Sequence, residues 1–270
     1  MTAVERHSDE IDGEPVSWLA AGDEGAVTTV YLHGVPDSSQ TWTPFLERCG
    51  GVAPDLPGFG GSIKAVTFPY SIAGYDGFLE RFLDWRGIDR VNLVMHDWGA
   101  AGLSFAKRSG ERVERVVLID PLVLFDGYPW HRLLRIWRAP VLGELWMGSL
   151  TPRLLRRALR DTAGTALPER DLRRIYSELD FGTQRAILKL TRSATPGTLR
   201  AAAAGLDQIE APALIVWGGL DPFNAPRAAV RYAEALGGES EIVMLDDAGH
   251  WPWLAVPELI ERIANFLAPR

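Results

Sequence analysis

"VNLVMHDWGAAG" (residues 91–102) runs an apolar strand directly into His96, Asp97, Trp98 and Gly99. A strand, a tight turn and a helix of small residues together make an elbow. The turn forces its central side chain outward on a strained backbone. Asp97 holds that central position, and Gly99, Ala100 and Ala101 allow a helix to pack close behind it. Partial positive charge at the helix N-terminus favours an ionised carboxylate there. The competing reading is that Asp97 only caps the helix. Partners elsewhere in the chain weigh against that.

Outward from the elbow, strand and helix patterns alternate. "VTTVYLHG" (27–34) and "RVERVVLID" (112–120) read as buried strands, and "GGVAPDLPGFGGS" (50–62) as a short strand entering a Pro/Gly turn. Tyr75, Phe78, Leu79, Phe82 and Leu83 recur at helical spacing, and "WGAAGLSFAKRSG" reads as a helix ended by Gly110. From Pro121 the texture changes to Leu, Arg, Trp and Pro, with helical segments at 130–138, 152–160 and 169–190, and a helical "AAAAG" at 201–205. Strands return at 211–221 and 240–250. Val256, Leu259, Ile260, Ile263 and Leu267 then mark a C-terminal amphipathic helix. This order predicts an α/β fold with a mostly parallel sheet flanked by helices. Residues 1–120 and 206–270 form the core, and residues 121–205 form a helical cap over the carboxyl edge of the sheet, where ligands bind in open α/β folds.

The totals narrow the function. A net charge of −7 over 270 residues argues against nucleic acid as a partner. Residues 121–200 carry 14 Lys and Arg against 7 Asp and Glu, a net +7, which leaves −14 for the remainder. Either the cap has a solvated Arg-rich face or a basic lid sits on an acidic body. One cysteine, Cys49, excludes an intramolecular disulfide and fits a reducing cytoplasm. The start of the chain has no secretory pattern, and no apolar run is long enough to span a membrane. There is no His/Cys cluster, P-loop or dinucleotide fingerprint, so neither metal nor organic cofactor is expected. "GFGGS" (58–62) reads as a structural turn.

Three further stretches carry chemistry. "DDAGHWPW" places His250 after a late strand, and "VWGGLDPF" places Asp221 at the end of the strand before it. The order nucleophile, acid, histidine is that of a hydrolase triad, in which the acid orients the imidazole. Asp120, which ends the strand before the cap, is a rival acid. In "YLHGVPDSSQTW" a His-Gly turn presents backbone N–H groups, so Val35 and Trp98 would supply an oxyanion hole. His33 reads as a packing residue behind that turn.

The His-Gly turn, "DLPGFGGS", "HDWG", "WGGLDPF" and "AGHWPW" together resemble the α/β-hydrolase superfamily over nearly the whole chain outside residues 121–205. "HDWG" resembles its aspartate-nucleophile branch, the haloalkane dehalogenases and epoxide hydrolases. The resemblance implies an α/β-hydrolase fold with the cap inserted after the sixth strand. A carboxylate nucleophile suits a saturated carbon bearing halide or an epoxide oxygen. It forms an alkyl ester that a His250-activated water cleaves. The substrate class is therefore a small apolar electrophile, with water as co-substrate. Dehalogenases of this kind hold halide with the Trp after the nucleophile, here Trp98, and with a second Trp or Asn. The Asn position is Val35, so the second donor falls to the cap, which offers Trp130, Trp137 and Trp146. Trp146 has the most similar spacing from the elbow. Epoxide hydrolases use two cap tyrosines, for which Tyr128 and Tyr176 are available. Their placement, together with Met95 two residues before Asp97, tilts the reading towards a dehalogenase, with epoxide hydrolysis as the alternative. A ligand-binding member of the fold without turnover is the third reading.

Overall fold

The computed structural model describes residues 2–22, 25–127, 130–160 and 167–268. Eight strands form one sheet: β1 (Val4–Ile11), β2 (Glu14–Ala21), β3 (Thr28–Leu32), β4 (Gly51–Pro54), β5 (Val91–His96), β6 (Val113–Ile119), β7 (Ala213–Gly218) and β8 (Ser240–Leu245). Their spatial order is β1-β2-β4-β3-β5-β6-β7-β8. β1–β2 and β2–β4 pair antiparallel, and every other neighbouring pair is parallel. All six residues of β5 and of β7 are buried. Strands covered on both faces need uninterrupted apolar sequence, and that is why these two read so clearly.

The helices before β6 are α1 (Thr43–Cys49), α2 (Ile72–Arg86) and α3 (Gly102–Arg108). Between β6 and β7 lie α4 (Arg132–Arg138), α5 (Leu142–Gly148), α6 (Pro152–Arg160), α7 (Glu169–Glu178), α8 (Phe181–Ser193) and α9 (Pro196–Ala203). The chain closes with α10 (Ala228–Ala235), α11 (Pro252–Ala255) and α12 (Glu258–Leu267). Among the described residues no helix is long and apolar enough to cross a membrane.

Several local expectations are corrected. The first hairpin, β1–β2, went unread because β1 is an edge strand with mostly exposed, charged residues. Its signal was Asp12-Gly13, both at positive φ, a dipeptide that favours a tight hairpin turn. The 169–190 run is two helices, because the Asp180 side chain accepts the Thr183 N–H at 2.8 Å and caps α8. α3 ends at Arg108, with Gly110 starting a separate turn, and the elbow itself is a 3₁₀ turn over Asp97–Ala101. Val256 precedes the last helix and does not belong to it.

Several arginines of the segment pair with its own acids, among them Arg156 and Arg173 with Glu169, and Arg192 with Glu144. Arg174 on α7 is different. It meets Asp37, in the loop after β3, at 2.7 Å, and both side chains are largely buried. The guanidinium holds Asp37 below the usual carboxylate range against the opposing effect of burial. Asp37 also accepts from Trp251 Nε1 at 3.2 Å, so one buried carboxylate ties α7 to the residue that follows His250.

Candidate active site

β5 delivers Asp97 at φ +48°, a left-handed conformation that costs a residue with a side chain. The strain is held in place by close packing behind the turn. A Cβ on Gly99 would lie 2.1 Å from the Leu32 carbonyl oxygen, and one on Gly34 would lie 2.5 Å from Asp97 Cβ. Smallness is therefore strict at Gly99, whereas Ala100 and Ala101 are simply buried in the core.

Two donors fix the Asp97 carboxylate. The Val35 N–H donates to Oδ2 at 3.0 Å and Asn224 Nδ2 donates to Oδ1 at 3.2 Å. His250 Nε2 stands 4.0 Å from Oδ2, too far for a direct hydrogen bond and a span that a water can bridge. His250 Nδ1 meets Asp221 Oδ2 at 2.9 Å, and Asp221 Oδ1 accepts the N–H groups of Phe223 and Asn224 at 2.7 and 3.2 Å. The acid in contact with the imidazole is therefore Asp221. Asp120 instead accepts the Gly218 N–H through Oδ1 at 2.9 Å.

Burial raises the Asp97 pKa from its ordinary value, opposed by His250, the Val35 N–H and Asn224. Desolvation outweighs these donors. Burial alone would lower His250, but the charge and hydrogen bond of Asp221, with Asp97 adding to them, raise it overall. Two other histidines are structural. His96 Nε2 bonds the His250 carbonyl at 2.7 Å and must donate to it. Burial, then the proximity of His250, keeps this ring well below the normal imidazole pKa. His33 Nδ1 bonds the Gly34 carbonyl at 2.8 Å while Nε2 accepts the Leu56 N–H at 2.9 Å, which pins the turn that carries Val35.

Asp97, His250, Val35, Trp98 and Asn224 all line one cavity of about 20 Å³. That volume accommodates about one water molecule. From the helices between β6 and β7 its wall includes Leu134, Trp137 and Leu159. The indole assigned from spacing, Trp146, is not among the residues that line this cavity. It lines an adjoining cavity of about 10 Å³, with Trp137 and Leu159 standing between the two. Trp137 packs edge-on against Trp146 at 5.5 Å between ring centroids, and its own Nε1 is buried without a hydrogen-bond partner among the described residues. Tyr176 is likewise not brought to the cavity: it sits on α7, 37% exposed. Tyr128 lies outside the described residues. Asn224 was missed altogether. It follows Asp221 by three residues, and only the fold shows that it bridges Asp97 and the Asp120 carbonyl.

A buried carboxylate on a strained elbow, an imidazole–acid pair facing it and a helical segment above them define a hydrolase of the α/β class. The chain belongs to the alpha/beta hydrolase family, whose pattern matches residues 29–263. A haloalkane dehalogenase of Sphingobium indicum is 32% identical over 127 residues, which are 43% of this chain and 41% of that protein. The chain thus matches well under half the length of that curated dehalogenase. A 2-hydroxy-6-oxononadienedioate/2-hydroxy-6-oxononatrienedioate hydrolase of Klebsiella pneumoniae is 27% identical over 91% of this chain and 88% of its own. Among solved structures, a haloalkane dehalogenase from Bradyrhizobium elkani superposes with a TM-score of 0.80 at 22% identity, covering 98% of this chain and 97% of that one. The epoxide hydrolase CorEH superposes at 0.82 with 21% identity, covering 99% of each.

Proposed function

We propose that this protein is a haloalkane dehalogenase in which Asp97 attacks the halogen-bearing saturated carbon. The carbon–halogen bond breaks with its electron pair on the halide, leaving an alkyl ester of Asp97. His250 then takes a proton from water as the water oxygen adds to the Asp97 carboxyl carbon. The Val35 and Trp98 N–H groups stabilise the tetrahedral oxyanion. Collapse expels the alcohol, which carries off the proton held by His250. Asp97 returns to its carboxylate with release of one proton. Asp221 orients the imidazole and supports its cationic form. Residues 121–205 act as the cap, and the single cysteine is in keeping with a cytoplasmic setting.

The observation that carries this reading is Trp137, which lines the Asp97 cavity together with Trp98 and whose buried indole N–H meets no acceptor among the described residues. A buried donor without an acceptor is costly at rest, and it becomes useful when an anion forms beside it. Replacing Trp137 by Phe should slow halide release by about 100-fold while keeping most of the ring packing. Stopped-flow halide detection checks this.

The overall test is a single turnover in oxygen-18 water, followed by mass analysis of the Asp97 peptide. A gain of one heavy oxygen in that carboxylate is expected. An unlabelled peptide after product forms would rule out the ester. Bromoalkanes and epoxides run in parallel choose the leaving group, and diol without halide release would mean epoxide hydrolysis instead.

A further inference from the structure

Asp120 has no part in the chemistry above, yet it is fully buried beside it. It ends β6 at φ +41°, where its N–H still bonds the Val216 carbonyl of β7 at 3.0 Å. Its carbonyl accepts from Asn224 Nδ2 at 2.9 Å, and its Oδ1 accepts from the Gly218 N–H at 2.9 Å. Its Oδ2 is buried, and none of the described residues donates to it. The carboxyl of Asp221, at the end of the adjacent strand, lies in hydrogen-bonding contact with it. Two carboxyl groups in contact need a proton between them. Asp221 already accepts from two backbone N–H groups and from His250, so it is the better-stabilised anion.

We propose that Asp120 is held as an un-ionised carboxylic acid whose Oδ2 hydroxyl donates to Asp221. It is thus a positioning residue for the histidine's acid partner. The groups facing it agree. Burial, then the negative charge of Asp221, with Asp97 adding, hold Asp120 well above the ordinary carboxylate range, and the Gly218 N–H opposes them only in part. The pair shares one proton and one charge, as two carboxyls in contact do. The consequence falls on His250. Asp221 raises that imidazole, and a base that stays protonated cannot activate water. A hydroxyl donated to Asp221 occupies one of its lone pairs, weakens its pull on the imidazolium and keeps the ring available as a free base.

The kinetic consequence rests on the proposed function, but the protonation state does not, and both of its readouts need no substrate. With carbon-13 carboxyl-labelled aspartate, infrared difference spectra between wild type and Asp120→Asn at neutral pH should show the loss of one un-ionised carboxyl carbonyl band. Nitrogen-15 NMR then follows the His250 ring, assigned by its absence in His250→Gln. An amide at 120 still donates to Asp221 and accepts from Gly218, so Asp120→Asn should leave the His250 midpoint unchanged. Asp120→Leu removes the donor and should raise that midpoint by about one pH unit. If Asp120 is ionised, the band is absent from wild type, and Asp120→Asn, by removing a charge, lowers the midpoint. Either result overturns the proposal, as does an equal midpoint in the Asn and Leu variants. Should the Leu variant not fold, the wild-type band and the Asn midpoint still decide.

Discussion

Replacing His250 with Phe is expected to stop the enzyme after a single turnover. The first step needs only Asp97 and a place for the leaving group, so halide should be released in an amount equal to enzyme and then cease. The protein mass should rise by the substrate's alkyl group, located on the Asp97 peptide. Steady-state rate should fall by roughly 10³-fold or more, since among the described residues no base other than His250 lines the cavity beside Asp97. Phe retains the ring packing against His96 and Phe223 that His250 makes at 4.6 and 5.1 Å between centroids. The effect is therefore chemical rather than structural. The pH dependence of ester breakdown has a definite sign. His250 acts only when neutral, so breakdown should be slow at low pH, rise through the imidazole pKa and level off above it. In the resting enzyme Asp97 helps to raise that pKa. Once esterified Asp97 carries no charge, so the midpoint for breakdown should lie below the resting one. Single-turnover decay of the ester across pH, set beside NMR titration of the free enzyme, measures the difference. Slow turnover without accumulated ester would show that water reaches the substrate directly.

The second large effect is expected at the elbow. Asp97→Ala should abolish both halide release and label uptake, a loss of about 10⁴-fold or more, because a methyl group cannot displace a leaving group. Stability should change by only about 1–2 kcal/mol. Removing a buried carboxyl relieves its desolvation, while the Val35 N–H and Asn224 lose an acceptor. Thermal unfolding followed by circular dichroism separates these outcomes. Substantial residual turnover in a folded Ala variant would move the nucleophile elsewhere.

What could be read from sequence follows from burial. β5, β6 and β7 lie at the centre of a parallel sheet, and their apolar runs end abruptly where the chain must turn. Asp97, Asp120 and Asp221 stand out because each terminates such a run. β8, at one edge, is mostly solvent-facing, yet its position was legible through the "DDAGH" that follows it. β1, at the other edge, lacks an apolar run and was legible only through Asp12-Gly13. The segment between β6 and β7 was legible as helical but not in its facing. Trp137 and Trp146 sit nine residues apart, each preceded by an apolar residue, and nothing local says which ring lines the cavity of Asp97. That depends on how α4 and α5 sit over the sheet. Asn224 escaped notice for a related reason: its partners are 127 and 104 residues away.

The scarcity of free volume beside Asp97 bears on how such a site selects among molecules. The space beside Asp97 holds about 20 Å³, so a guest larger than water displaces side chains of a wall that includes Leu134, Trp137 and Leu159. Admission is then governed by the work of deforming a wall, and discrimination by bulk is expressed in entry and exit rates more than in equilibrium affinity. An enclosure of this kind also keeps the nucleophile poorly hydrated between visits, so little water has to be stripped from it when a substrate arrives.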